Sequence, residues 1–380
     1  MTTADPILAP WRALADDVGP AQVLLVRDPA VGLEGVVVID DVSCGPAIGG
    51  IRMAPDVTVA EVARLARAMT WKNAAAGLAH GGGKAAIVAD PAMPRARKEA
   101  LVRAFGRAIR TLTAYIPGPD MGTDETCMAW LHDEIGRAVG LPKVLGGIPL
   151  DTLGATGFGL AVAAEVAERL GIVALRGARV VVQGMGAVGA HAARLLAERG
   201  AVVVAAADAR GAVADPAGLD VPALLALKRA GRSVAELPGA RRLDAAALLA
   251  VPCDVWIPAA RPDVIDADGA RRLQARLVLQ GANVPATAEA EAILHARGIV
   301  SVPDFIANAG GVICAAVEWH GGTATQAFAV IAERIRENVE AVLLDARARG
   351  IAPRTAALDL ARARVAEAAG YRGRASSGAQ

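Results

Sequence analysis

The sequence predicts an α/β chain of two domains: a smaller N-terminal α/β unit, then a doubly wound parallel sheet, with a cleft between them. Three observations carry this. At 380 residues the chain can bury two cores of ordinary size. Its hydrophobic content, 54% with only 3% aromatic, marks Ala/Val/Leu-rich core elements. From Leu150 onward, strands and helices alternate around a glycine-rich turn, the pattern of a parallel sheet.

Composition excludes several function classes. A net charge of +1 gives no argument for nucleic acid or an anionic membrane as partner. No apolar run approaches the length that spans a bilayer. Residues 1–6 lack the basic region and apolar stretch of a secretory signal. Cys44, Cys127, Cys253 and Cys314 are scattered, without C-x-x-C or a nearby His at ligand spacing. They read as reduced thiols of a cytoplasmic protein that holds no metal.

In chain order, residues 23–27 and 35–40 are short β-branched runs bounded by Asp, Pro and Gly, and predict strands of a first sheet. A Gly-rich turn at 45–50 opens into another strand. Residues 59–76 have helical spacing, with Thr58 as N-cap and Glu61 three residues on, a capping box. A strand over 85–89, a helix over 94–113 and a helix over 123–139 follow. Between the last two, Tyr115-Ile116-Pro117-Gly118-Pro119-Asp120 is an irregular segment. Residues 141–151, rich in Pro and Gly, are the expected hinge.

The second half opens with a helix over 156–170 and a buried strand over 179–183. Gly184-Met185-Gly186-Ala187-Val188-Gly189 follows at once and opens a helix over 189–199; a strand over 201–206 then leads to Asp208. Strand, G-x-G-x-x-G, helix, strand and acid within one βαβ unit predict a Rossmann dinucleotide site. Gly184 makes the tight turn, Gly186 admits the pyrophosphate, and Gly189 lets helix pack on strand. The helix N-terminus attracts the phosphates. Asp208 suits the ribose hydroxyls of NAD and repels a 2′-phosphate, with Arg210 as a counterweight. Residues 253–260, ending in Ala259 and Ala260, and 277–283, ending in Asn283, are further strand-then-loop units over the cofactor. From 312 to about 369 the chain is helical and packs back on the first domain, and 371–380 is a disordered tail. The expected division is 1–145 for substrate binding and oligomerisation, 146–335 for NAD, and 336–370 for the returning helices.

Only five of the forty Lys and Arg residues are lysines: Lys72, Lys84, Lys98, Lys143 and Lys228. Two of them fall in the apolar segment from Ala68 to Lys84, the second straight after Gly81-Gly82-Gly83. A desolvated Lys can lose its proton near neutrality, whereas Arg cannot. The segment is therefore either a flexible turn with a solvated lysine or a catalytic element. No P-loop is present, because Ala85 follows Lys84. Asp120 is likewise either an ordinary turn residue or a carboxylate set beside Lys84.

Seven segments, from about Val36 to the helix after Asn308, together resemble the glutamate/leucine/phenylalanine/valine dehydrogenase family, nearest to its leucine, phenylalanine and valine members. They include Met-Thr-Trp-Lys-Asn-Ala-Ala-Ala-Gly-Leu, Gly-Gly-Gly-Lys, Gly-Pro-Asp-Met-Gly-Thr, Gly-Ala-Asn and Pro-Asp-Phe-Ile-Ala-Asn-Ala-Gly-Gly-Val. The resemblance implies conversion of an L-amino acid, NAD and water to a 2-oxo acid, ammonia and NADH by a homo-oligomer. By it, Lys72 pairs with the substrate carboxylate, helped by backbone at Gly49 and Gly50. Lys84, its pKa lowered by Lys72 and burial, is the general base, and Asp120 exchanges protons with the amino group. Asn283 lies near the nicotinamide ribose or substrate, and Thr156 near the carboxamide.

Glutamate-specific members carry a Lys where this chain has Ile48 and a Ser where it has Ala315. The resemblance therefore implies an apolar pocket of Ile48, Gly118, Val312 and Ala315. Small Gly118 and Ala315 leave space for a bulky side chain, while Asp90-Pro91 also suits leucine or valine types. The alternatives are a glutamate enzyme with specificity relocated to His320, Arg52 or Arg261, a dehydrogenase of an unusual amino acid, and a non-catalytic NAD-binding sensor.

Overall fold

A computed structural model describes residues 14–372, which form two compact units. The first holds the chain up to Pro149, Val312–Ala327 and the chain from Ala361; the second holds Leu150–Gly311 and Phe328–Leu360. The expected tail over 371–380 lies, apart from Tyr371 and Arg372, outside the described residues.

The first unit contains a five-stranded sheet in the order β1-β2-β4-β3-β5, formed by Gln22–Asp28, Leu33–Asp41, Ala47–Ala54, Gly81–Val88 and Tyr115–Pro119 as β1 to β5. β2 pairs antiparallel with β1 and β4, while β3 pairs parallel with β4 and β5. The central strands bury apolar residues on both faces. Val36, Val38 and Ala86 pack on Val62, Ala63 and Ala66 of helix α1 (Val59–Ala75). Val37, Ile39, Ala85 and Ile87 join the opposite core with Phe105 and Leu131. Those two residues come from α2 (Arg95–Ala108) and α3 (Glu125–Ile135).

Several local expectations change. Gly81–Gly83 are strand, not turn, and β4 begins four residues earlier than the expected 85. A Cβ at Gly81 would collide with the Asp41 carbonyl, and one at Gly82 with the Thr70 backbone. One at Gly83 would stand 3.0 Å from Tyr115 Cδ2 and 3.1 Å from Ala47 Cβ. The glycines are there so that α1 and β3 can lie against the strand. Helices α2 and α3 are shorter than expected. Beyond α2 the chain turns, and the buried Arg137 guanidinium takes the carbonyls of Ile109, Arg110, Leu112 and Tyr115 at 2.6–3.1 Å. Gly136, at φ 68°, ends α3.

The second unit has a seven-stranded sheet ordered β12-β11-β10-β6-β7-β8-β9. The parallel strands are β6 (Arg179–Gln183), β7 (Val202–Asp208), β10 (Val255–Pro258), β11 (Leu277–Leu279) and β12 (Val300–Val302). β8 (Gly211–Ala214) and β9 (Arg241–Leu243) add an antiparallel edge that the sequence pattern did not reveal. The chain runs outward from β6 to β7 and returns to β10 on the other side of β6. The loops after β6 and β10 therefore flank the topological switch point, where ligands bind in such sheets.

The division departs from the expected one in the C-terminal third. Helix Gly310–Trp319 carries Ala315 against Ile48, Ile116 and Val139, and its Glu318 carboxylate accepts from Leu141 N at 3.0 Å and Ile148 N at 2.8 Å. Those ties bring 312–327 into the first unit. Residues 328–360 stay with the second: Phe328 packs edge-on against Phe158 at 4.9 Å, and Arg354 joins Asp304 and Glu291 at 2.8 and 3.1 Å.

Candidate active site and dinucleotide loop

Within the first unit, three neighbouring strands and α1 bring together most of the residues expected to meet substrate. Lys84 lies in β4 with its side chain only 7% exposed, and its Nζ stands 3.0 Å from Asp120 Oδ1. Asp120 follows β5 and is placed by a turn: its backbone N–H donates to Thr123 Oγ1 at 3.0 Å, and that hydroxyl donates to Ile51 O at 2.7 Å. Gly50 permits this, because a Cβ there would stand 2.7 Å from Asp120 Cβ. Gly49 is equally constrained, since a Cβ would collide with Gly83 O; its carbonyl accepts from the buried Tyr115 hydroxyl at 2.7 Å. Lys72 is half-buried in the last turn of α1.

Arg52 of β3 is the residue that sequence reasoning underused. Its Nε donates to Asp120 Oδ2 at 3.0 Å and its Nη1 to Glu61 Oε1 at 2.6 Å. This overturns the capping box. Thr58 does cap α1, accepting from Glu61 N at 3.2 Å, but the Glu61 side chain turns to Arg52. Arg52 is thereby committed away from the role of a relocated glutamate ligand. Burial pushes the Lys84 amine below its ordinary value, Asp120 pulls it back, and the Arg52 charge adds to the lowering. The cation in this account is Arg52, where the sequence reading named Lys72.

The pocket residues divide. Ile48 and Ala315 are buried together with Ile116 and Val139, and Trp319 packs on them. Sequence reasoning missed Ile116, Val139 and Trp319, which lie far apart in the chain. Val312 is half-buried one turn before Ala315, outside that cluster. The space expected at Gly118 is filled, since a Cβ there would stand 3.1 Å from Val139 Cγ2. Burial raises the Cys44, Cys127 and Cys253 thiols, the last two to about 11 and about 12, which disfavours the thiolate.

The second unit holds the dinucleotide loop. Gly184, at φ 98°, brings the chain against Ala259 and Ala260 at the end of β10, where a Cβ would stand 2.6 Å from Ala259 O. A Cβ at Gly189 would collide with Gly184 O, so that glycine serves the helix–strand contact. Gly186 differs: a Cβ would meet nothing within 4 Å. Internal packing does not demand this glycine, and bare backbone facing open space at the start of helix Ala187–Glu198 fits a phosphate cradle. Met185, Gly186, Ala187 and Lys228 line a cavity of about 500 Å³. Val188 lies behind the loop, where a Cβ on Gly281 would meet its Cγ1 at 3.2 Å. Thr156 sits in the first turn of helix Ala155–Arg169, half-buried. Asn283 is exposed, and its Oδ1 accepts from Asn308 Nδ2 at 3.0 Å.

Asp208 ends β7, but its oxygens are already engaged. They accept from Lys228 Nζ at 2.7 Å, Ser233 Oγ at 2.9 Å, Arg210 N at 2.9 Å and Val234 N at 3.0 Å. These donors outweigh the opposing effect of burial and hold its carboxyl down to about 2. Lys228, one of the five lysines, was the available signal for this network.

Comparison with known proteins agrees with both halves. A family model described as glutamate/leucine/phenylalanine/valine dehydrogenase matches residues 146–373, and one described as the dimerisation domain of these dehydrogenases matches 20–137. A glutamate dehydrogenase of Aeropyrum pernix is 38% identical over 79% of this chain and 76% of its own. An NADP(+)-dependent glutamate dehydrogenase of Pyrobaculum calidifontis is 42% identical over 75% of this chain and 72% of its own. Among solved structures, the hetero-hexameric glutamate dehydrogenase of Thermus thermophilus in its Leu-bound form superposes with TM-score 0.83 at 34% identity, covering 95% and 92%. The L-tryptophan dehydrogenase of Nostoc punctiforme gives 0.74 at 26% identity, covering 95% and 99%.

Proposed function

The chain belongs to the glutamate/leucine/phenylalanine/valine dehydrogenase family, an oxidoreductase acting on CH–NH2 groups with a nicotinamide cofactor, and from that premise we propose that its substrate is an apolar L-amino acid of the phenylalanine, leucine or valine type. One observation carries this: Ile48 and Ala315, which by family resemblance stand where glutamate enzymes hold the side-chain carboxylate, are packed with Ile116, Val139 and Trp319. A carboxylate buried among such groups costs several kcal/mol without a partner.

In the proposed reaction Lys72 pairs with the substrate carboxylate and Gly49–Gly50 backbone lies beside it. This fixes the α-carbon, which is positioning catalysis. A bound nicotinamide would supply the hydride acceptor for that carbon. Lys84, whose amine burial pushes below its ordinary value, takes a proton from the water that attacks the iminium. Asp120, at 3.0 Å from Lys84, takes a proton from the substrate ammonium before the hydride leaves and returns it to the departing amine. In the second unit Gly184–Gly189 hold the pyrophosphate, with Thr156, Ala259, Ala260 and Asn283 along the rest of the cofactor.

NAD is the proposed cofactor, on the carboxylate of Asp208 at the end of β7. Lys228 offsets that charge, so rejection of NADP is expected to be weak, about tenfold or less. A homo-oligomer in the cytoplasm completes the proposal. The matched dimerisation domain and the exposed Leu25 on edge strand β1 support the first part.

The test is NADH formation at alkaline pH with L-phenylalanine, L-leucine, L-valine, L-tryptophan and L-glutamate. Turnover on the apolar substrates with little on glutamate is expected. Preference for glutamate would overturn the apolar reading, and no turnover on any would favour the sensor.

A further inference from the structure

Four charges alternate in sign across the first unit: Lys84, Asp120, Arg52 and Glu61, joined by contacts of 3.0, 3.0 and 2.6 Å. The catalytic reading uses only the first two. Asp120 presents one oxygen to Lys84 and the other to Arg52, so its carboxylate is held from both sides. Arg suits that task, because a planar, permanently charged fork fixes direction as well as charge. Glu61 gives up its part in the helix cap to hold the far end of the same guanidinium. That exchange sacrifices a local capping contact for an ion pair pointed at the site.

We propose that Arg52, anchored by Glu61, is a positioning residue that fixes Asp120 against Lys84 and sets how readily Lys84 releases its proton. The inference rests on the reading of Lys84 as the base. The electrostatics have a definite sign. Arg52 lowers the Lys84 amine by like charge, and Glu61 raises it. The other ionisable groups around this strand stay the same in the variants below. Lys72 is on α1, Asp40 of β2 is bound by Arg67 and Thr70, and the Tyr115 phenol of β5 is pushed well above its ordinary value by burial.

The experiment is the pH dependence of kcat/KM for oxidative deamination, using the L-amino acid that wild type turns over best. Arg52→Gln is expected to move the ascending limb up by about one pH unit, because the protonated amine loses a repelling neighbour. Glu61→Gln is expected to move it down by about half a unit, because the protonated amine loses an attracting one. Arg52→Lys keeps the charge without the fork, so its midpoint stays near wild type while kcat falls. A purely structural role would lower kcat in all three without opposite shifts. Limbs that stay put, or that move in the same direction in both Gln variants, overturn the proposal. If Arg52→Gln does not fold, the downward shift of Glu61→Gln carries the test alone. Lys84→Met separates this inference from its premise. Retained turnover there removes the base itself, whereas loss of turnover with unmoved limbs removes only the role of Arg52.

Discussion

Two lysine–aspartate pairs, Lys84–Asp120 in the first unit and Lys228–Asp208 in the second, have similar lengths, 3.0 and 2.7 Å, and opposite environments. In the first the amine is buried, 7% exposed, and the carboxylate is 23% exposed. In the second the carboxylate is buried, 6% exposed, and the amine is 25% exposed. Desolvation disfavours whichever charge it covers unless hydrogen bonds make good the loss. Lys84 has one carboxylate to offset burial and a nearby guanidinium working against it, so it is lowered toward use as a base. Asp208 has four donors, including two backbone N–H groups, so it is held ionised near 2 and acts as a structural anchor. An ion pair is poised for proton transfer when its buried member is short of partners.

The largest expected effect is at the first pair. Lys84→Ala should lower kcat at least about a thousandfold, the scale of losing a positioned base. Cofactor affinity, followed by NADH fluorescence, should stay within about threefold, because Gly184–Gly189 belong to the other unit. Turnover above a few per cent of wild type would remove Lys84 as the base. Next in size, Ile48→Lys with Ala315→Ser should move the ratio of kcat/KM for glutamate over leucine upward by about a hundredfold, the scale of partnering a buried carboxylate. An unchanged ratio would mean that these two positions do not meet the substrate side chain.

Changes at the second pair should be smaller and should not touch chemistry. Asp208→Asn is expected to destabilise the fold by about 1 kcal/mol near neutral pH, solvent screening included, measured by urea unfolding. The sign follows from a folded value lowered to about 2 against an ordinary 3.8. The stabilisation is present above about pH 4 and is lost as pH falls through 2, so the gap between variant and wild type should close there. Lys228→Met, which leaves Asp208 without its cation, should sharpen NAD over NADP about fivefold by kcat/KM. No change in cofactor preference would sink the part given to Asp208.

The two regions also differ in how far they could be read from sequence. The contact of Lys84 with Asp120 was legible because a chain with five lysines placed two of them around Gly81–Gly83, and because a Pro/Gly-framed Asp followed. The glycines themselves misled: triple glycine looks like a turn, yet each is a strand residue whose missing Cβ accommodates a neighbour found only in three dimensions. Glu61 misled for the same reason. Its spacing from Thr58 fits a capping box, and only the fold brings Arg52 close enough to win its carboxylate. The glycine loop was legible because its chemistry is local to one βαβ unit, and open space at Gly186 agrees with the role read from its position. Asp208 was found, but its state was not, since Lys228, Ser233 and Val234 come from twenty or more residues downstream. The packing of Ile116, Val139 and Trp319 around Ile48 and Ala315 was invisible, because nothing local distinguishes these apolar residues from other core.

The most direct measurement is the pH profile of kcat/KM for wild-type oxidative deamination. A buried amine serving as base predicts a rising limb whose midpoint lies clearly below the ordinary lysine value of 10.5, followed by a plateau. A limb centred at that ordinary value, or no limb at all, would contradict the claim that burial makes Lys84 the base.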